Sequence, residues 1–179
     1  MNISNKLTTM RVILVPVFVF IFLYAGLGKT GDYISLVIFG VACITDYLDG
    51  YLARKNNLVT NFGKFMDPLA DKLLVCSAAV CLVAVGRIEP WIVIVILARE
   101  FAISGFRLVA AGGGLVIAAS MWGKSKTVVQ MFMIMFLLLH FETLWWHVVE
   151  QVMIYASLIL TVISMLDYII KNRHVLKDM

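Results

Sequence analysis

The sequence is poor in charge: of its 179 residues only 15% are Asp, Glu, Lys or Arg. Soluble domains carry about 25%, so a chain that turns water-facing side chains outward all round is excluded. Histidine is scarce as well, with three: His140 and His147 near the edges of apolar runs and His174 in the basic tail. Lone histidines there read as interfacial residues rather than a ligand set. Three cysteines, Cys43, Cys76 and Cys81, lie inside apolar runs and are odd in number. That excludes a disulfide framework and leaves them as small buried hydrophobes. No serine or cysteine is positioned as a nucleophile. There is no internal repeat, low-complexity tract or compositional break, so a single domain over residues 1–179 is expected.

What is abundant is apolar. The hydrophobic set makes up 62% of the chain and the mean hydropathy is +0.96, against an apolar share of about 45–50% in soluble domains. This predicts an integral membrane protein. At 20.0 kDa it has room for about six spanning helices of about 20 residues and little else, so no separate soluble catalytic domain fits.

Six such segments can be read. Residues 12–28 carry no charge, and although Lys6 and Arg11 ahead of an apolar run resemble a signal peptide, the run's length and the five segments after it predict an uncleaved first span. The next run from about Tyr33 to Ala53, Phe62 to Gly86, after Pro90 through Arg99, Glu100 and Arg107, Ser125 to Phe141, and Val148 to Asp167. Turn residues punctuate the gaps. The prediction is an all-α, polytopic protein with six transmembrane helices.

Thirteen of the fifteen Lys and Arg residues fall on one side of these spans, leaving Lys29 and Arg87 opposite. By the positive-inside rule both termini are cytoplasmic. The net charge of +4 then reflects a basic face suited to anionic lipid headgroups and phosphorylated substrates, not a nucleic-acid footprint. Trp91, Trp145 and Trp146 fall at the outer boundary and Trp122 at the inner one, as an aromatic belt.

Four acids cluster at the cytoplasmic edge of the second and third spans: Asp46, Asp49, Asp67 and Asp71, in the pattern D-x2-D-G-x2-A-R-x8-G-x3-D-x3-D. Spacings of three and four put each pair on one helical face, and the basic loop between them lets the two faces meet. Unpaired carboxylates beside a membrane repel one another and are costly to desolvate, so either several are protonated or hard divalent cations sit among them. The alternative is a solvated cluster at the helix ends. Gly50, Ala53 and Gly63 supply clearance for a neighbouring backbone or a nucleotide, though small residues also serve ordinary helix contacts.

Asp46, Asp49, Gly50, Ala53, Arg54, Gly63, Asp67 and Asp71 match without departure the signature of the CDP-alcohol phosphotransferases, which the chain resembles over its whole length. The resemblance implies a site of two metal ions, Mg2+ or Mn2+, and transfer of a phosphatidyl group from a CDP-linked lipid to an alcohol with release of CMP. It also implies a homodimer. Asp46, Asp49 and Asp67 would be metal ligands and Asp71 a base, a ligand or both, with Gly50, Ala53, Arg54 and Gly63 against the CDP-lipid.

Three further segments resemble the bacterial branch of that family that uses glycerol 3-phosphate: Asn5-x2-Thr8-x2-Arg11-x4-Pro16, Arg99-Glu100-Phe101 with Ser104-Gly105-x-Arg107, and Gly123-Lys124-x-Lys126-Thr127. That implies CDP-diacylglycerol as donor and a bacterial inner membrane. Arg99, Arg107, Lys124 and Lys126 supply more positive charge than a CDP-lipid with two metals needs, and a second phosphate accounts for the surplus. Thr8, Arg11 and Thr127 are further candidates. For Lys124 and Lys126 the competing reading is positive-inside anchoring. Arg99 and Glu100, adjacent in sequence, point about 100° apart on a helix and are expected to find partners elsewhere, Arg99 on substrate and Glu100 in an interhelix ion pair. Inositol phosphate, serine or phosphatidylglycerol are rival acceptors. A prenyltransferase would need a second aspartate-rich motif, and a divalent-cation transporter a pathway of acids through the membrane.

Overall fold

The computed structural model describes the backbone of residues 3–55, 61–112 and 120–172, and side chains over 9–45, 72–110 and 120–172. These residues form six helices and no strand: α1 (Ile3–Leu23), α2 (Lys29–Lys55), α3 (Asn61–Ala84), α4 (Pro90–Gly112), α5 (Met121–Leu139) and α6 (Leu144–Lys171). The number agrees with the apolar runs; the ends do not. Helix α1 begins at Ile3, well ahead of the uncharged stretch, and stops at Leu23. Charge marks where a chain leaves an apolar phase, not where its hydrogen bonds end, and Lys6 and Arg11 are good helix formers. The stop comes from Gly26 and Gly28, whose φ angles of 63° and 52° lie in the left-handed region that glycine enters without penalty.

Two compact units make up the chain, Met1–Arg87 with Leu137–His140, and Ile88–Phe136 with Phe141–Met179. In the first, α1 packs on α2 and α3, and α2 also touches α3. Each helix turns a stripe at helical spacing inward: Arg11, Val15 and Phe18; Ser35, Phe39 and Ala42; Leu74, Ala78 and Leu82. Phe18 stacks on Phe22 with centroids 5.8 Å apart and tilts against Phe39 at 6.4 Å. One end of the unit is closed by Arg87, just past α3. Its Nη2 donates to Asp32 Oδ2 at 2.6 Å, its Nη1 to the Leu137 carbonyl at 3.1 Å, and its guanidinium sits 5.5 Å from the Phe22 ring centre. Asp32 is in the first turn of α2, so α2 and α3 run antiparallel, and the end of α2 and the start of α3 share the opposite end of the unit.

In the second unit α4 packs on α6. The buried residues of α6 are Glu150, Ile154, Ser157, Thr161, Ser164 and Tyr168, alternating steps of four and three as in helices that cross at a shallow angle. Small hydroxyl residues let the backbones approach closely. Thr161 Oγ1 donates to the Ser157 carbonyl at 2.7 Å and Ser164 Oγ to the Thr161 carbonyl at 2.9 Å. Phe106 meets Tyr168 edge-on at 5.5 Å. Trp146 departs from the expected belt: it packs on Phe136 at 5.3 Å and Phe141 at 4.8 Å, with its indole N–H buried, whereas Trp91, Trp122 and Trp145 are exposed. The three cysteines are free thiols.

Beside the apolar core, polar side chains are buried and large apolar ones exposed together. Arg11, Ser35, Arg99, Lys126, Gln130, Glu150, Ser157, Thr161 and Ser164 are buried, while Phe20, Val37, Ile94, Phe101, Phe132 and Ile159 stand more than half exposed. Exposed large apolar side chains in this number mark a lipid or partner contact. By length and composition α6, with 28 residues, is the one helix among the described residues that suffices to cross a membrane. Helix α4 falls short of the span expected of it because Arg99, Glu100 and Arg107 interrupt its apolar run.

Candidate active site

The aspartate signature lies in the end of α2 and the start of α3. Asp46 and Asp49 are in the last three turns of α2, and Asp67 and Asp71 in the first three turns of α3. Both stretches are continuous helix, so the spacings of three and four keep each pair on one side of its helix. Because α2 and α3 are antiparallel, the two pairs belong to the same end of the unit, opposite the Arg87–Asp32 contact. The side chains of Asp46, Asp49, Asp67 and Asp71 lie outside the described residues, as do those of Gly50, Ala53, Arg54, Gly63 and Thr8.

The cations of the second unit are described in full. Arg99 of α4 and Lys126 of α5 are 7% and 1% exposed, whereas Arg107 and Lys124 are exposed. The adjacent Arg99 and Glu100 do meet, contrary to the expectation from helical direction: Arg99 Nη1 donates to Glu100 Oε1 at 3.0 Å, and Lys126 Nζ donates to the same oxygen. Helical direction fixes only where Cβ points. Both side chains are long enough to lean toward a third group, and Lys126 provides the common point. Glu100 thus forms the interhelix ion pair expected of it, with Lys126 as partner, and two cations share one acid in a buried place where an uncompensated charge would be costly.

Gly123 opens the space beside this cluster. A Cβ there would lie 3.5 Å from Arg99 Nη2, an ordinary contact, so alanine fits and any longer side chain meets the guanidinium. Gly123 is held at the start of α5 by Ser120, whose Oγ accepts from the Gly123 N–H at 3.1 Å, as an N-cap does. The Ser120 hydroxyl also lies beside the Asp167 carboxylate, and Asp167 Oδ1 takes Lys171 at 2.7 Å. Thr127 Oγ1 donates to the Gly123 carbonyl at 3.1 Å, so that hydroxyl is engaged within its own helix. Arg11 is buried in the first unit.

Three polar residues of this region escaped the sequence reading. Gln130 is 2% exposed, one turn beyond Lys126 on α5, with its amide nitrogen unpartnered; a glutamine four residues from a lysine in an otherwise apolar run is the signal that could have found it. Tyr168 buries its hydroxyl without a partner. Ser120 carries no signal beyond its place before a helix. Of the histidines, His147 Nδ1 lies 3.1 Å from Glu150 Oε2 one turn on.

Chemically, the described cluster offers anion-binding donors around Glu100, and the end of α2 and the start of α3 carry four carboxylates at fixed helical spacing. The family described as CDP-alcohol phosphatidyltransferase matches residues 1–163, and so runs through both. A Bacillus subtilis (strain 168) protein named CDP-diacylglycerol--glycerol-3-phosphate 3-phosphatidyltransferase is 44% identical over 98% of this chain and 97% of its own. Proteins of the same name from Haemophilus influenzae and Rickettsia typhi are 39% and 35% identical, over 94% and 93% of this chain and 91% and 94% of theirs. On this evidence of sequence shared along nearly the whole length, the chain belongs to the CDP-alcohol phosphatidyltransferase family.

Proposed function

We propose that the protein transfers the phosphatidyl group of CDP-diacylglycerol to sn-glycerol 3-phosphate, giving phosphatidylglycerophosphate and CMP. The observation that carries this reading is that relatives 35–44% identical over more than nine-tenths of this chain are named for that transfer. The buried Arg99 and Lys126 support the acceptor half of it, because both are charge-assisted donors of the kind that bind a phosphate.

Asp46, Asp49, Asp67 and Asp71 would hold two divalent cations, and a set made only of carboxylate oxygens suits magnesium or manganese. When bound, such ions polarise the diphosphate and offset the charge that gathers on the departing CMP phosphate. Asp71 accepts the proton of the attacking primary hydroxyl. The new bond joins that oxygen to the phosphorus bearing diacylglycerol as the bond from that phosphorus to CMP breaks. Gly50, Ala53 and Gly63 leave room for the nucleotide, with Arg54 beside it. Arg99, Arg107, Lys124 and Lys126 bind and orient the acceptor phosphate, which holds the hydroxyl ready for in-line attack.

The reading includes a multi-pass membrane protein with both termini and the aspartates at the cytoplasmic face of a bacterial inner membrane, acting as a homodimer. The outward apolar residues on all six helices support the several spans, and the family match through both units supports one catalytic domain. The test is an assay of purified protein with CDP-diacylglycerol and, separately, glycerol 3-phosphate, serine, inositol phosphate and phosphatidylglycerol, scored for lipid product. Turnover only with one of the other three alcohols would replace the acceptor and keep the chemistry.

A further inference from the structure

We infer that Glu100 is the positioning residue of the acceptor subsite: its Oε1 draws Arg99 of α4 and Lys126 of α5 to one point and so aims both cations. This rests on the reading of glycerol 3-phosphate as the acceptor.

An ammonium 1% exposed on a four-carbon stem loses its charge or leaves the interior unless an acid stands by it. Glu100 supplies that acid from another helix, and Arg99, its neighbour in sequence, is bent toward the same oxygen. The acid does not use up the site. Arg99 keeps donors outside the contact. Its Nε is buried with no hydrogen-bond partner, and its Nη2 faces the backbone of Gly123, where a side chain is missing. A buried N–H without an acceptor is costly, and a phosphate oxygen is the kind of group that completes it. Glu100 repels a phosphate, so it acts through the two cations and does not itself touch the acceptor.

The experiment is steady-state kinetics of the full-length protein in mixed micelles, varying each substrate for wild type, E100Q, K126M and E100Q/K126M. A positioning role predicts that E100Q raises the KM for glycerol 3-phosphate about tenfold or more while the KM for CDP-diacylglycerol stays within about twofold. It also predicts that E100Q raises the acceptor KM by a smaller factor in the K126M background than in the wild type, since one of the two cations it aims is already gone and Arg99 alone remains to be aimed. An unchanged acceptor KM, or equal rises for both substrates as a general loosening of the helices would give, overturns the inference. If E100Q does not fold, E100D decides: it keeps the charge but reaches one methylene less far, and should raise the acceptor KM severalfold. A wild-type acceptor KM in E100D overturns it. Failure of the underlying reading is separately visible, because the wild-type protein would then not turn over glycerol 3-phosphate at all.

Discussion

Arg87 and Asp32, 55 residues apart, meet at 2.6 Å at the end of the first unit away from the aspartate signature. Each side chain is 15% exposed, so the pair is neither a solvated surface bridge nor a dry one. It ties the start of α2 to the end of α3 and thereby fixes the antiparallel pairing on which the placement of all four aspartates depends.

Breaking that contact should therefore lower stability before it lowers turnover. R87M should cost about 2–3 kcal/mol and D32N about 1 kcal/mol, because the guanidinium of D32N keeps the Leu137 carbonyl and the Phe22 ring. Thermal unfolding in detergent measures the difference. Equal effects, or none, would mean the contact is incidental.

Asp67→Asn should take turnover to background while the protein stays folded, since it removes a charge and a hard ligand together. Asp71→Asn should lower kcat by about 10²–10⁴ and keep CDP-diacylglycerol binding, the pattern of a lost base. Parallel measurement of lipid binding and turnover separates the two. Binding that collapses with the rate in Asp71→Asn would make Asp71 chiefly a ligand.

Among the cations, burial predicts an order. Arg99→Gln and Lys126→Gln should raise the KM for glycerol 3-phosphate by about ten- to a hundredfold, as for a charge-assisted bond in a buried place. Lys124→Gln, at an exposed position, should change it less, because solvent and salt screen it. Glycerol should be a poor acceptor for wild type, and the Arg99 and Lys126 variants should lose most of the preference between the two alcohols. A preference that survives in both would assign them to the fold alone.

Orientation is tested by cysteines added to the protein in intact cells. Positions within Gly28–Asp32 and Gly86–Glu89 should label from outside and Asn57 should not, following the thirteen-to-two division of Lys and Arg. Outside labelling at Asn57 would reverse the topology and with it the face that carries the aspartates.

How much of this was legible in the sequence depends on the distance over which each feature is decided. Helical class and number follow from the apolar runs, because a segment in an apolar phase must close its hydrogen bonds within itself. The aspartate pattern is legible because residue type and spacing alone carry its chemistry. The meeting of Arg99 with Glu100 is not, since two flexible side chains go where Lys126, 26 residues on, leads them. Trp146 was hidden for a smaller reason: it follows Trp145, and the turn of about 100° between neighbours decides which indole faces outward and which sits between Phe136 and Phe141.

The alternation of four and three along the buried edge of α6, from Glu150 to Tyr168, makes this helix intolerant of a change in length even where it tolerates a change in residue. Inserting one residue near Tyr155 would rotate everything beyond it by about 100°. That would turn Ser157, Thr161 and Ser164 off the α4 contact and bring branched aliphatic side chains into a seam built for small ones. Substitutions along Val152, Ile159 and Leu166, all exposed, should be freely exchanged among apolar residues. In a library of α6 variants, point changes on that face should survive in number, and single-residue insertions or deletions within the helix should be almost entirely missing.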